Sequence, residues 1–183
     1  MIKFEELDET TRRYMLAEFE TEEATKRPYR SDKLSAKGLS AFPDLVRAAI
    51  LHGDETSLTA SLSDRRFWRE LEMYVTRGVP SFRRYSIPNA AEGLGLTEFN
   101  TWYVRVLARR LMEEGQTHCQ VYHASPGRTD RGSCVTHEGQ KVALSEVYGG
   151  HRAHYWPKPG DPQAFSIPAH TFCYHTIRRL PEE

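Results

Sequence analysis

The sequence predicts an α+β fold, with a helical N-terminal part packed on a small, mostly antiparallel sheet formed by the C-terminal third. Two observations carry this. Up to Gly115 apolar residues recur at helical spacing, and after it the chain breaks into short β-branched and aromatic runs between Gly/Pro turns. Helices followed by strands, rather than alternating with them, separate α+β from α/β. At 183 residues and 39% hydrophobic content, a single domain spanning residues 1–183 can bury a core. It divides into a mainly helical subregion, 1–115, and a mainly β subregion, 116–181.

Residues 4–25 read as an amphipathic helix, with Phe4, Leu7, Tyr14, Met15 and Phe19 on its inner face. A polar loop, 26–38, contains Pro28 and ends it. The run 42–53 has Pro43 at a first helical turn and Gly53 just past the end. Asp54 opens a short helix within 54–64. Residues 64–78 read as a further helix on Phe67, Leu71, Tyr74 and Val75, although "MYVT" also suits a strand. The clearest helix is 97–114: Thr97 caps it, Phe99, Trp102, Tyr103, Val106, Leu107, Arg110 and Leu111 face inward, and Gly115 stops it. Beyond lie strand candidates at 118–124, at 141–156 (one strand broken at Gly149–Gly150, or two) and within "AFSIP" and "TFCYHTIRR".

Bulk properties narrow the function. Lys plus Arg and Asp plus Glu both number 25, so the chain is not a generally basic nucleic-acid coat. Three cysteines do not make a disulfide framework, the N-terminus lacks an apolar signal core, and no run reaches the roughly 18 apolar residues of a span. The expectation is a cytoplasmic protein with reduced thiols and no membrane contact. No Gly-rich nucleotide loop and no GxSxG nucleophile motif is present.

Three candidate sites follow. In "IPNAAEGLGLTEFNTWYVRVL", residues 87–107, small alanines, Gly95 as a turn and Thr97 as a cap have the order of a helix-turn-helix. On that reading Thr97, Glu98, Asn100, Thr101 and Arg105 would face nucleic acid, although residues 97–115 carry three acidic and three arginine side chains and so add little phosphate attraction. The last third holds ten of the eleven His and Cys residues and carries seven basic against four acidic groups. There Cys134-x-x-His137 and Cys173-x-His175 give paired zinc-type ligands, and Cys134, His137, Cys173 and His175 form the candidate metal set. The order CxxH, Gly pair, histidines, "CYHTIRRL" slightly resembles ββα-metal (HNH) nucleases. The expected Asn is missing and the chain has too little length after Arg179 for a metal-bearing helix, so the family is not assigned. Finally, Arg152, His154, Tyr155 and Trp156 of the 148–156 strand, with Arg178, form an Arg/aromatic partner-binding face.

The expected function is a binding or interaction module for protein or nucleic acid. A metal-dependent hydrolase or nuclease built on the Cys/His cluster of residues 134–175, with zinc as its one implied cofactor, is the alternative.

Overall fold

The computed structural model describes residues 2–26, 28–84, 86–128, 133–151 and 165–181, the side chains of Ser133 and Cys134 excepted. It is α+β, with five helices mostly in the N-terminal part and a three-stranded antiparallel sheet in the C-terminal part.

Caps fix the first helices. Helix α1, Glu9–Glu23, starts where Asp8 accepts from the Thr11 amide at 2.8 Å, and it buries Met15 and Phe19. Helix α2, Ala36–His52, begins six residues before the expected start. Ser35 caps it through the Gly38 amide, and Pro43 lies inside the helix rather than in its first turn. Pro43 has no amide to donate. The buried face of Phe42, Val46, Ala49 and Ile50 holds the helix together across it. Helix α3, Glu55–Ser61, carries the expected Asp54 cap, closed into a capping box with Ser57.

The expected helix over 64–78 is not formed. Asp64 caps a single 3-10 turn, Arg65–Phe67, and Trp68 buries its ring while its Nε1 donates to the Leu62 carbonyl at 2.7 Å. The chain then runs out as strand β1, Leu71–Thr76, and back as β2, Val79–Arg84. Arg77 and Gly78 take φ of 51° and 80°, two successive left-handed residues that make a tight hairpin turn of the primed type.

The helix-turn-helix is also replaced. Helix α4 runs without a break from Ile87 to Glu113, with Gly93 and Gly95 inside it. Gly95 is small for packing, not for a turn: a Cβ there would lie 2.5 Å from Thr59 Oγ1 and 2.8 Å from the Thr59 amide nitrogen on α3.

Strand β3, His118–His123, is the centre of the sheet, antiparallel to β4, Lys141–Ala143, and to β5, His175–Arg179. Its buried Cys119 and Val121, with Ile177, join Phe19, Phe99, Trp102, Tyr103 and Leu107 in one continuous core. Burial pushes the Cys119 thiol up to about 12, which makes it a core residue rather than a nucleophile. The expected strand from 141 ends after three residues: Leu144–Gly149 form helix α5. Gly150 follows because a Cβ there would meet the Phe165 carbonyl oxygen at 1.4 Å. Among the described residues no helix is long and apolar enough to cross a membrane.

Candidate interaction surface

The β1–β2 hairpin is an arm. Its strands pack extensively on each other, and no other described helix or strand makes more than a marginal contact with them. Register and alternation sort its side chains. Met73 lies opposite Phe82, Val75 opposite Pro80 and Leu71 opposite Arg84, so Leu71, Met73, Val75, Pro80 and Phe82 share one face with Arg84 at its base. That face is bare: Met73 and Phe82 are each 64% exposed, Val75 62% and Leu71 48%. The other face carries Glu72, Tyr74 and Arg83. Arg83 Nε donates to Glu72 at 2.5 Å, and its guanidinium stands 5.2 Å over the Tyr74 ring. An isolated two-stranded ribbon is marginal in water, and a contiguous apolar patch usually marks an interaction site. Charge adds to this. The arm, residues 71–84, holds three arginines against one glutamate, a net +2 in a chain of zero net charge, and Arg65, Arg66 and Arg69 precede it, Arg66 paired with Asp64 at 2.6 Å.

At the foot of the arm opens a cleft of about 660 Å³. Lys33, Arg83 and Arg84 line one part of it, and Ser86, Asn89 and Thr97 bring the start of α4 to another. Tyr29 and Phe172 supply aromatic wall. Ser86 makes no side-chain capping bond at the start of this 27-residue helix, where Pro88 has no amide to donate and Ile87 and Asn89 have. Thr97 is only 7% exposed, and its Oγ1 has no hydrogen-bond partner among the described residues. A buried hydroxyl left so is costly unless something reaches it. Phe172 holds φ at 65°, a left-handed conformation that bulky residues avoid and that concentrates at functional sites. Asp32 and Glu72 also line the cleft, the latter taken by Arg83.

The residues singled out in the sequence are dispersed by the fold. Of the nucleic-acid set, Glu98, Asn100 and Thr101 are buried inside α4. Glu98 Oε1 accepts from Trp102 Nε1 at 2.9 Å, Asn100 Nδ2 donates to the His175 carbonyl at 2.8 Å, and Thr101 donates to the Thr97 carbonyl. Arg105 turns inward to Glu18 at 2.9 Å and to Tyr148 Oη at 3.1 Å. Thr97 alone of the five reaches the cleft.

In the partner set, Arg152, His154, Tyr155 and Trp156 lie outside the described residues. The described beginning of that segment is the end of α5, not a strand. Arg178 lies on the outer sheet surface, bonded to Gln120 at 2.8 Å and paired with Glu5 at 3.3 Å.

For the metal set, the Cys134 side chain is outside the described residues. His137 bonds Gln140 at 3.0 Å and stands edge-on to Phe165. Cys173 and His175 are buried, and His175 Nε2 is 3.4 Å from Glu138. Among the described residues no three His, Cys, Asp or Glu side chains converge to hold a metal ion, so zinc binding has no support from His137, Cys173 and His175.

Lys33, Arg83 and Arg84 were missed by the sequence reading. The signal that could have found them is the arginine excess of 65–84, hidden by the neutrality of the whole chain. Comparison with protein families, with curated proteins and with solved structures finds no match.

Proposed function

We propose that this chain is a binding module for a single strand of nucleic acid, held in the cleft at the foot of the arm. The observation that carries the reading is the local positive charge of a neutral chain: the arm, residues 71–84, is net +2, and Lys33, Arg83 and Arg84 wall the cleft at its foot. Phosphates take the cations and the positive end of α4, while Tyr29 and Phe172 offer rings on which bases stack. The cleft is too small for a duplex and suits one strand. No step of catalysis is required of it.

The test is fluorescence anisotropy with a labelled oligonucleotide of about 12 nucleotides, a length typical of single-strand sites. Binding is expected to weaken with salt, with a slope near −0.7 per phosphate contact. Lys33→Gln and Arg84→Gln, both at exposed positions, are each expected to reduce the magnitude of that slope by about 0.7. Absence of binding at low salt, or an unchanged slope in the double variant, overturns the reading.

A further inference from the structure

We propose that the apolar face of the arm docks head to tail into a groove on a second copy of this chain. This goes beyond nucleic-acid binding, because Glu72 and Arg83 lie on the opposite face of the ribbon, and of the apolar face only Arg84, at its base opposite Leu71, lines the cleft.

The face is self-consistent as a plug. Met73 and Phe82 are cross-strand partners at its centre, and they are among its most exposed side chains. Packing two such faces on each other would bring together two arms of net +2 each, Arg77, Arg83 and Arg84 against Glu72, and like charges at an interface are penalised. A complementary receptor is present elsewhere on the same molecule. A groove of about 360 Å³ lies between α3 and the start of α4, walled by Ile2, Pro88, Leu96 and Tyr174. It has room for two large side chains, the number the Met73–Phe82 pair presents.

The groove also carries carboxylates. Glu92 stands at its edge, 3.4 Å from Arg128, and Glu55 lies within, only 4% exposed. Glu55 Oε1 accepts from the Ile2 amide at 2.6 Å, while Oε2 has no hydrogen-bond partner among the described residues. A buried carboxylate oxygen in an apolar groove favours an arriving cation or donor, and Arg77 at the hairpin turn is such a cation. The plug carries a net positive charge, and the groove holds Glu55 and Glu92 against Arg128, so the two surfaces match in chemistry and in the sign of their charge. Because plug and groove are different surfaces, the contact is heterologous, and each copy offers one of each.

The full chain is examined by sedimentation velocity from about 1 to about 200 μM, the range in which a small interface associates. The weight-average mass is expected to rise above the monomer with concentration. Met73→Ser/Phe82→Ser removes the plug, and Thr56→Trp fills the groove from an exposed position on its wall. Each variant alone is expected to stay monomeric, while their mixture forms a one-to-one pair that grows no further, since only one plug and one groove remain. A wild-type chain monomeric throughout overturns the proposal. So does a Thr56→Trp variant that still self-associates, which would assign a face-to-face dimer. Pelleting with vesicles containing phosphatidylserine, without self-association, would assign the face to lipid and overturn it as well. The oligonucleotide slope of either variant stays at the wild-type value, so this proposal and the nucleic-acid reading fail separately.

Discussion

Two arginine-rich regions of this molecule behave in opposite ways. At the edge of the core, Arg105 and Arg109 converge on one buried carboxylate, Glu18, at 2.9 and 2.6 Å, and Tyr148 joins them with its ring 4.2 Å under Arg105. Burial pushes the Glu18 carboxyl up, but the hydrogen bonds from Arg105 and Arg109 outweigh it and hold it below its ordinary value. In the arm, Arg77 and Arg84 have no ion pair among the described residues, and the apolar side chains beside them face water. The same residue types are thus spent on folding in one place and left over in the other. An arginine count along the chain does not distinguish the two; the number of acids packed against those arginines does.

The sharpest way to break this contrast is in the core. Trp102 is 1% exposed, packs edge-on against Phe19 and donates to Glu98. Trp102→Ala is expected to cost about 3–5 kcal/mol in urea unfolding. A smaller effect comes from Glu18→Gln, which leaves two arginines short of a counter-charge. The expected loss is about 1–3 kcal/mol, set at the lower end for buried pairs because Arg109 is two-fifths exposed.

The pH dependence has a definite sign. A carboxylate whose folded pKa lies below its unfolded value contributes stability above the unfolded pKa, and that contribution is lost as pH falls through the folded pKa. Wild type should therefore lose its advantage over Glu18→Gln below about pH 4, and a difference that persists unchanged in acid would refute the pairing. The smallest effect is expected in the arm. Met73→Ser and Phe82→Ser should change stability by no more than about 0.5 kcal/mol, since neither side chain is buried. A loss of 2 kcal/mol or more at either would show that the arm packs on its own chain, and the contrast would collapse.

Much of the fold was legible. The α+β class, α1, α3, β3 and β5 follow from periodicity, caps and turn residues, signals that act within a few positions. What was not legible depended on partners far along the chain. Gly95 reads as a turn in isolation, and only the crossing of α3 at Thr59 makes it a packing residue. Residues 64–78 carry an apolar run short enough to serve as helix or strand, and pairing with 79–84 decided for the strand. The Arg77–Gly78 turn was the local cue, flanked on both sides by alternating residues. At the candidate site, Thr97 was recognised for capping but matters for where it lies in a longer helix. Lys33, Arg84 and Tyr29 come together only through tertiary structure.

The continuity of α4 has a mechanical consequence. At 1.5 Å per residue, its 27 residues form a rod of about 40 Å. One end opens on the cleft beside the arm; the other is lashed down by Arg110 to Asp8 and Glu114, and by Glu114 to Arg179. The glycines that would offer a bending point are wedged, Gly95 against α3 and Gly93 against Thr171. The helix is therefore a stiff strut that ties the cleft to the ion pairs on the far side of the molecule.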